Sequence, residues 1–506
     1  MNMIEGKDIY AANLTDWRLY RAAYDGTKSL IKLSGVFEKH ERESTENYNR
    51  RVSQVYGFNF SRSIIDILTF YLFQVPFEPD WGWLTDNERF DAFLIDCDLW
   101  GTNLETFLDT RQKQSSIYGQ VGIMVDKPDS SSPDARPYLT FYTPENILDW
   151  TYERDDLGKP VLTYLRLLES GLGSEVEWTQ TEWKRTEYSS DLSSSIIKDL
   201  NGVRVSDPTA ESVTTGTNTL GEIPFVWLLN IPSNNNVLGV SDIQEIANVD
   251  ASIIRNLSQI EEIGDYSAFP MLMKPERTTT SDDDDTVGAT AVIEFDPAYP
   301  NAIPQWLESK AREPIQAILE LIASKVENIY NSANAGGINA TENSSSPKSG
   351  VALESEFQLL NAKLAVKSAY LEIAERKIVE YWSKWENDFS EANMDTVNVN
   401  RPRNFRVTSL ASDLEAVIMG TSLVSSETFN RTIQKIVARR MAGERGDYET
   451  IDEEIEKNPV ALGEVKTRAE IAGDRGGAID PNEPTTPNTN SNTNPNPIEP
   501  GAQGSE

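Results

Sequence analysis

Phe357, Leu364, Leu371, Ile378 and Trp385 recur every seven residues, and Leu353, Leu360 and Phe389 fill in around them. Seven residues are close to two turns of α-helix, so the repeat predicts one helix of about ten turns carrying a continuous apolar seam. Such a seam must be covered. A second chain would cover it as a coiled coil, and other helices of the same subunit would cover it equally well. Trp382 widens the apolar face near the end and favours packing within the subunit. The segment leading into this helix, "NSSSPKSG" from Asn343 to Gly350, is a polar Ser/Pro/Gly stretch with one lysine, Lys348.

A chain of 506 residues exceeds one ordinary core, which predicts two to four domains or one extended, multi-part subunit. Its 39% apolar content and 11 tryptophans suffice to bury real cores. One cysteine and one histidine remove thiolate or imidazole zinc sites and leave any Cys/His or Ser/His/Asp apparatus resting on Cys97 or His40 alone. His40, in "FEKHERE", reads as a solvated surface histidine. Cys97, in "FLIDCDLW", reads as a small core residue at helical spacing with Phe93, Leu94 and Trp100. The opening "MNMIEGKDIYAANL" has neither a basic start nor a continuous apolar stretch, so no secretory leader is expected. The most apolar run, "IIDILTFYLF", is half the roughly 20 residues a membrane span needs, so no membrane partner is expected.

Charge is the outlying global property: 80 acidic against 46 basic residues, a net of −34. Proteins that grip nucleic acid usually neutralise phosphates with basic patches, and this composition does not look like that of a gripping protein. An acidic wall can still surround DNA while keeping it mobile. Plain solubility is the simpler reading of the same charge.

Helical spacing opens the chain, with Leu14, Trp17, Leu19 and Tyr20 on one face. It continues from the Ser44 cap through "IIDILTFYLF" to Pro76, and again over 87–117. The period then changes. "YGQVGIMVDKP", "PYLTFYTPENILDW", "VLTYLRLLE", "EVEWTQTEWKRTEY" and "IPFVWLLN" predict a mainly antiparallel sheet over about 118–230, within a first region of 1–240. From 241, with Ser241 and Asp242 as capping candidates, Ile243, Ile246, Val249, Ile253, Leu257, Ile260 and Ile263 predict a helix over 241–266. A second helix, within 306–335, presents Ile315, Leu319, Ile322, Val326 and Ile329 on one face. Between them, 267–305 reads as a small α/β excursion. Residues 336–350 form a loop bracketed by Gly336, Gly337 and Gly350, and the long helix with a return strand occupies 351–405. Short helices are expected over 406–472, and the Pro/Asn/Thr tail over 473–506 lacks the apolar content to fold.

Taken in order, these pieces resemble the portal proteins of tailed bacteriophages over about residues 40–460. The segments that carry the resemblance are "ESTENYNRRVSQVYGFNFSRSIIDILTFYLFQVPF", "YGQVGIMVDKP" followed by "YLTFYTPENILDW", "GVSDIQEIANVDASIIRNLSQIEEI", and "SGVALESEFQLLNAK" after a helix ending in "YNSANAGG". The resemblance implies an α+β portal fold and a ring homo-oligomer of about twelve copies at one capsid vertex. It implies a wing (1–240 and 351–405), a two-helix stem (241–266, 306–335), a clip (267–305), a tunnel loop (336–350) and a crown (406–472). The implied partners are double-stranded DNA passing through the channel without sequence readout, the terminase large subunit, a head–tail adaptor, the major capsid protein and a scaffold protein. The implied location is the virion, after assembly in the host cytoplasm.

On that mapping Gly336, Gly337, Asn343, Ser346, Lys348 and Gly350 are channel candidates, Lys348 meeting phosphates transiently. Ile253, Leu257, Ile260, Leu319, Ile322 and Val326 are stem-packing candidates. Asp282, Asp283, Asp284 and Asp285 are clip-docking candidates: adjacent carboxylates in one run point apart, and no EF-hand spacing follows them. No cofactor or catalytic residue is expected, and there is no phosphate-binding G-x-x-x-x-G-K-[ST] motif, so the chain is not its own packaging ATPase. Two alternatives stay open. One is an acidic scaffold or adaptor without a channel. The other is a metal-dependent hydrolase, which would need carboxylates such as Asp66, Asp96, Asp242 and Asp250 to converge.

Overall fold

A computed structural model of the chain describes residues 4–75, 77–128, 135–169, 174–188, 210–233, 238–267, 271–275, 292–295, 305–307, 311–333, 350–405 and 448–457, with isolated positions besides. The chain divides into two units, Met1–Arg406 and Val407–Glu506. Helices and antiparallel sheets together make the first unit an α+β structure.

Four helices open it: α1 (Gly6–Asp25), α2 (Thr27–Leu30), α3 (Thr45–Gln54) and α4 (Phe60–Phe73). The expected helical face of α1 is buried at Leu14, Trp17 and Tyr20. The Ser44 side chain accepts from the Asn47 N–H and starts α3. The apolar run from 44 to 76 is not one helix, however. It breaks at 55–59, and Asn59 caps a new helix by accepting from the Arg62 N–H. Periodicity misled there because Tyr56 and Phe58, which appeared to continue the stripe, stay exposed.

The single helix expected over 87–117 is likewise two, α5 (Glu88–Ile95) and α6 (Leu104–Tyr118). Between them the Asp96 and Asp98 side chains accept from the backbone N–H groups of Gly101, Trp100 and Thr102, which outcompetes helical bonding. Cys97 is buried as expected, but Trp100, placed with it by helical spacing, points into solvent. His40 is exposed.

The strand-rich region builds two sheets. Strands β1 (Ile4–Glu5), β4 (Ile147–Arg154), β5 (Pro160–Glu169), β6 (Ser174–Thr179), β7 (Glu182–Tyr188) and β8 (Ala210–Thr217) form a six-stranded antiparallel sheet in that order. Strands β3 (Tyr138–Tyr142), β2 (Gln120–Asp126) and β9 (Phe225–Leu229) form a three-stranded one. Alternation along β2 explains how the layers join. Val121, Ile123 and Val125 enter one core with Phe90, Phe93 and Phe107, while Met124 enters another with Trp150, Leu165 and Phe225.

Next come α7 (Ile246–Ser267), a small sheet, and α8 (Arg312–Ser332). In the small sheet β10 (Met271–Pro275) pairs parallel with β11 (Val292–Phe295) and antiparallel with β12 (Gln305–Leu307). The seven-residue repeat lies on one 36-residue helix, α9 (Gly350–Trp385), and its seam from Phe357 to Trp385 is covered within the chain. Leu360 and Leu364 join the core of α1, α4 and α7, and Leu371, Ile378 and Trp382 join the core of α5, α6 and β2. Phe389 lies past the helix end, beyond Asn387 at φ +58°. The return strand expected after it is an isolated bridge, Asp80–Asn398, because the segment pairs mainly with α9 side chains: Arg401 with Glu375, Arg403 with Glu372. A short helix, α10 (Glu391–Met394), intervenes. In the second unit the described helix is α11 (Tyr448–Lys457), where Glu456 pairs with Lys435.

Candidate functional site

Between α7 and α8 the chain makes the three-stranded sheet β10–β12, and both the lead-in to α7 and α7 itself carry a buried carboxylate, Asp242 and Asp250. Along α7, Ile253 and Leu257 are buried and Ile260 is half-buried. Along α8, Ile329 is buried, Ile322 and Val326 are half-buried against the same core, and Leu319 is exposed. Lys325 on α8 crosses to α7 and donates to Ser252 Oγ at 2.7 Å and Asn256 Oδ1 at 2.5 Å. Burial, with Arg255 nearby, lowers the pKa of this lysine.

Two aspartates fix the base of α7. Asp242 was a capping candidate, yet the helix begins at Ile246; the nearby Ser241 Oγ accepts from the Ile243 N–H and donates to the Ile117 carbonyl. The Asp242 carboxylate is instead buried against α9, where Lys367 bonds to Oδ2 and Lys363 forms an ion pair with Oδ1 at 3.1 Å. Lys367 also donates to Asn230 Oδ1 at 2.7 Å and Ser116 Oγ at 3.1 Å. One ammonium group, that of Lys367, therefore joins four separate pieces of chain: α6, the end of β9, the lead-in to α7, and α9. Burial raises the Asp242 pKa less than its two ammonium neighbours lower it, so the group stays ionised. Burial brings Lys367 down to about 8 despite Asp242.

The chain reaches this junction through a backbone crossing that only glycine permits. A Cβ on Gly239 would lie 1.8 Å from the Gly119 carbonyl oxygen, and Gly119 itself sits at φ +94°.

The second aspartate, Asp250, is buried on α7 and accepts from Ser61 N at 3.0 Å and Ser61 Oγ at 2.7 Å. It thereby satisfies a free N–H in the first turn of α4 and places its charge at the favourable end of that helix. Burial nevertheless raises its pKa, the Ser61 bonds opposing the shift.

The carboxylates that a hydrolase would gather are held apart. Asp66 pairs with Lys113, Asp96 with Arg136, Asp242 with Lys363 and Lys367, and Asp250 with Ser61. Among the described residues no three metal-ligating side chains come together, and no described helix is long and apolar enough to cross a membrane. Gly336, Gly337, Asn343, Ser346 and Lys348 lie outside the described residues, as do Asp282, Asp283, Asp284 and Asp285; Gly350 is the first residue of α9.

Sequence reasoning passed over Lys363 and Lys367. The signal was present: Lys367 sits at +3 from Leu364 and −4 from Leu371, on the seam itself, and a lysine on a buried helix face requires a buried counter-charge. Neither a protein-family profile nor a curated protein sequence matches this chain.

Proposed function

We propose that the chain is the subunit of a phage portal, a non-enzymatic ring of about twelve copies that conducts double-stranded DNA into a capsid and out again. The observation that carries this reading is the order α7, three-stranded tip, α8, α9, with the base of the hairpin and the long helix joined at Asp242. In this reading α7 and α8 are the stem, β10–β12 the clip that docks the terminase large subunit and later the head–tail adaptor, and the two larger sheets the wing. The segment between α8 and α9, with Lys348, is the tunnel loop. Because α9 is packed from Phe357 to Trp385, a loop ahead of it is carried by a helix that is held from its second turn onward. The net charge of −34 supports the same role, since a strongly acidic channel would repel phosphate and leave the polymer mobile.

The wider expectations travel with this proposal: contact with the major capsid protein and a scaffold protein, and a place in the virion. Light scattering on the purified chain tests it. Twelve copies of a 56.7 kDa chain give a particle of about 680 kDa. A species that stays at the mass of one chain across the micromolar range would refute the reading.

A further inference from the structure

Lys325 is an exception among the lysines of this chain. Every other buried or half-buried lysine whose side chain is described pairs with a carboxylate. Lys325 reaches only neutral oxygens, Ser252 Oγ and Asn256 Oδ1 on α7. The charge that acts on it is a second cation, Arg255, and among the described residues no carboxylate opposes the two. Arg255 in turn donates to another neutral oxygen, the Val36 carbonyl at 2.9 Å. A chain with a net charge of −34 therefore leaves two neighbouring cations without a counter-charge where α7 meets α8.

The matching carboxylates lie on the far side of α8. Gln316, Glu320, Ala323 and Glu327 are all exposed, and at 100° per residue they sit roughly 140–180° around the helix from Lys325. Glu320 accepts from Gln316 at 3.0 Å, whereas Glu327 has no ion pair or side-chain hydrogen bond among the described residues. From that side a carboxylate cannot turn back onto its own chain's cations. The same carboxylate on a neighbouring copy can reach them.

We infer that Glu327 of one copy docks between Arg255 and Lys325 of the next, with α8 of one subunit lying along the α7–α8 groove of its neighbour. Height supports this choice of carboxylate. Copies in a ring are related by rotation about one axis, so a side chain meets groups at its own level along that axis. Glu327 is two residues from Lys325, about 3 Å along the helix, and Glu320 is five residues away, about 7.5 Å. Ala323, between the two glutamates, leaves room for the helices to approach. Two different surfaces then meet head to tail, which generates a ring or a filament and never a two-fold pair. Because strongly acidic copies repel one another at long range, a local pairing of this kind also sets which surfaces can meet. This inference rests on the ring reading and adds to it the groups through which neighbours engage.

The test is a double-mutant cycle on the full chain, read by light scattering at low salt as the protein concentration at which half the material is in rings. Glu327→Gln and Lys325→Met should each raise that concentration about fivefold. The double variant should do no worse than the more impaired single, because both changes remove one contact. Losses that multiply in the double variant would show two independent roles and overturn the inference, as would a Glu327→Gln chain that assembles like the wild type. Should Lys325→Met lose its helical circular dichroism, the exposed Arg255→Gln takes its place in the cycle with the same outcomes. A duplex DNA fragment retarded by the wild type and released by the cation variant would assign these cations to phosphates and overturn the inference. Rings without coupling leave the ring reading standing and remove this contact, whereas a wild type that stays at the mass of one chain removes both.

Discussion

The buried junction at Asp242 makes an asymmetric prediction. Two lysines share one carboxylate, so the loss of either side is not equivalent. Asp242→Asn leaves Lys363 and Lys367 close together without a counter-charge, and breaking a buried pair in this way costs about 3–5 kcal/mol. Lys367→Met leaves Asp242 still paired with Lys363 and removes a cation that burial already disfavours. What remains is the loss of a donor to Asn230 and Ser116, worth about 1–2 kcal/mol. Urea unfolding followed by tryptophan fluorescence, at one protein concentration and pH 7, measures both. Equal losses, or a larger loss for Lys367→Met, would refute the reasoning.

The same site fixes a pH dependence. Native Lys367 releases its proton near pH 8, while in the unfolded chain it holds the proton until about 10.5. The unfolded state therefore binds more protons between those values, and stability rises with pH there. Relative to Lys367→Met, which lacks the group, the wild type should gain on the order of 2 kcal/mol between pH 7 and pH 10. A difference between the two proteins that is flat with pH would contradict the buried, charged lysine.

The other predictions are simpler. Asp250→Ala should cost about 1–2 kcal/mol by uncapping α4 at Ser61, seen as a lowered urea midpoint; an unchanged midpoint would mean that water replaces the carboxylate. Ile322→Asp places an unpaired charge against the α7 core at a cost of several kcal/mol, so light scattering should show no rings. Truncation after Ala472, which removes the Pro/Asn/Thr tail, should leave the melting temperature unchanged, and a large drop would mean that the tail docks. Deleting Asn343–Lys348 should leave rings intact but impair DNA packaging, with Lys348→Glu mainly altering its salt dependence. Full-length packaged genomes in the deletion variant would make the segment a plain connector.

What the sequence disclosed depended on how far each signal had to reach. The ten-turn helix α9 was legible because its repeat is internal to 36 residues. The antiparallel strands were legible from β-branched and aromatic runs between turn residues. Local patterns failed where a side chain captured the backbone. Asn59 ended one helical stripe and began another, and Asp96 and Asp98 broke the second in two. The Asp242 junction was the least legible, since its lysines lie more than 120 residues away; Lys363 looks, locally, like an ordinary surface charge, and only the place of Lys367 on the apolar seam calls for a buried partner without saying which. Trp100 was misplaced for a related reason: helical spacing grouped it with buried Phe93 and Cys97, and the loop's hydrogen bonds turn it outward.

The central claim is the ring, and negative-stain images of the purified full-length chain test it most directly. The account predicts rotationally symmetric particles that, viewed down the axis, show a central hole wide enough for a DNA duplex. Compact single subunits, or closed particles with no opening along the axis, would contradict it.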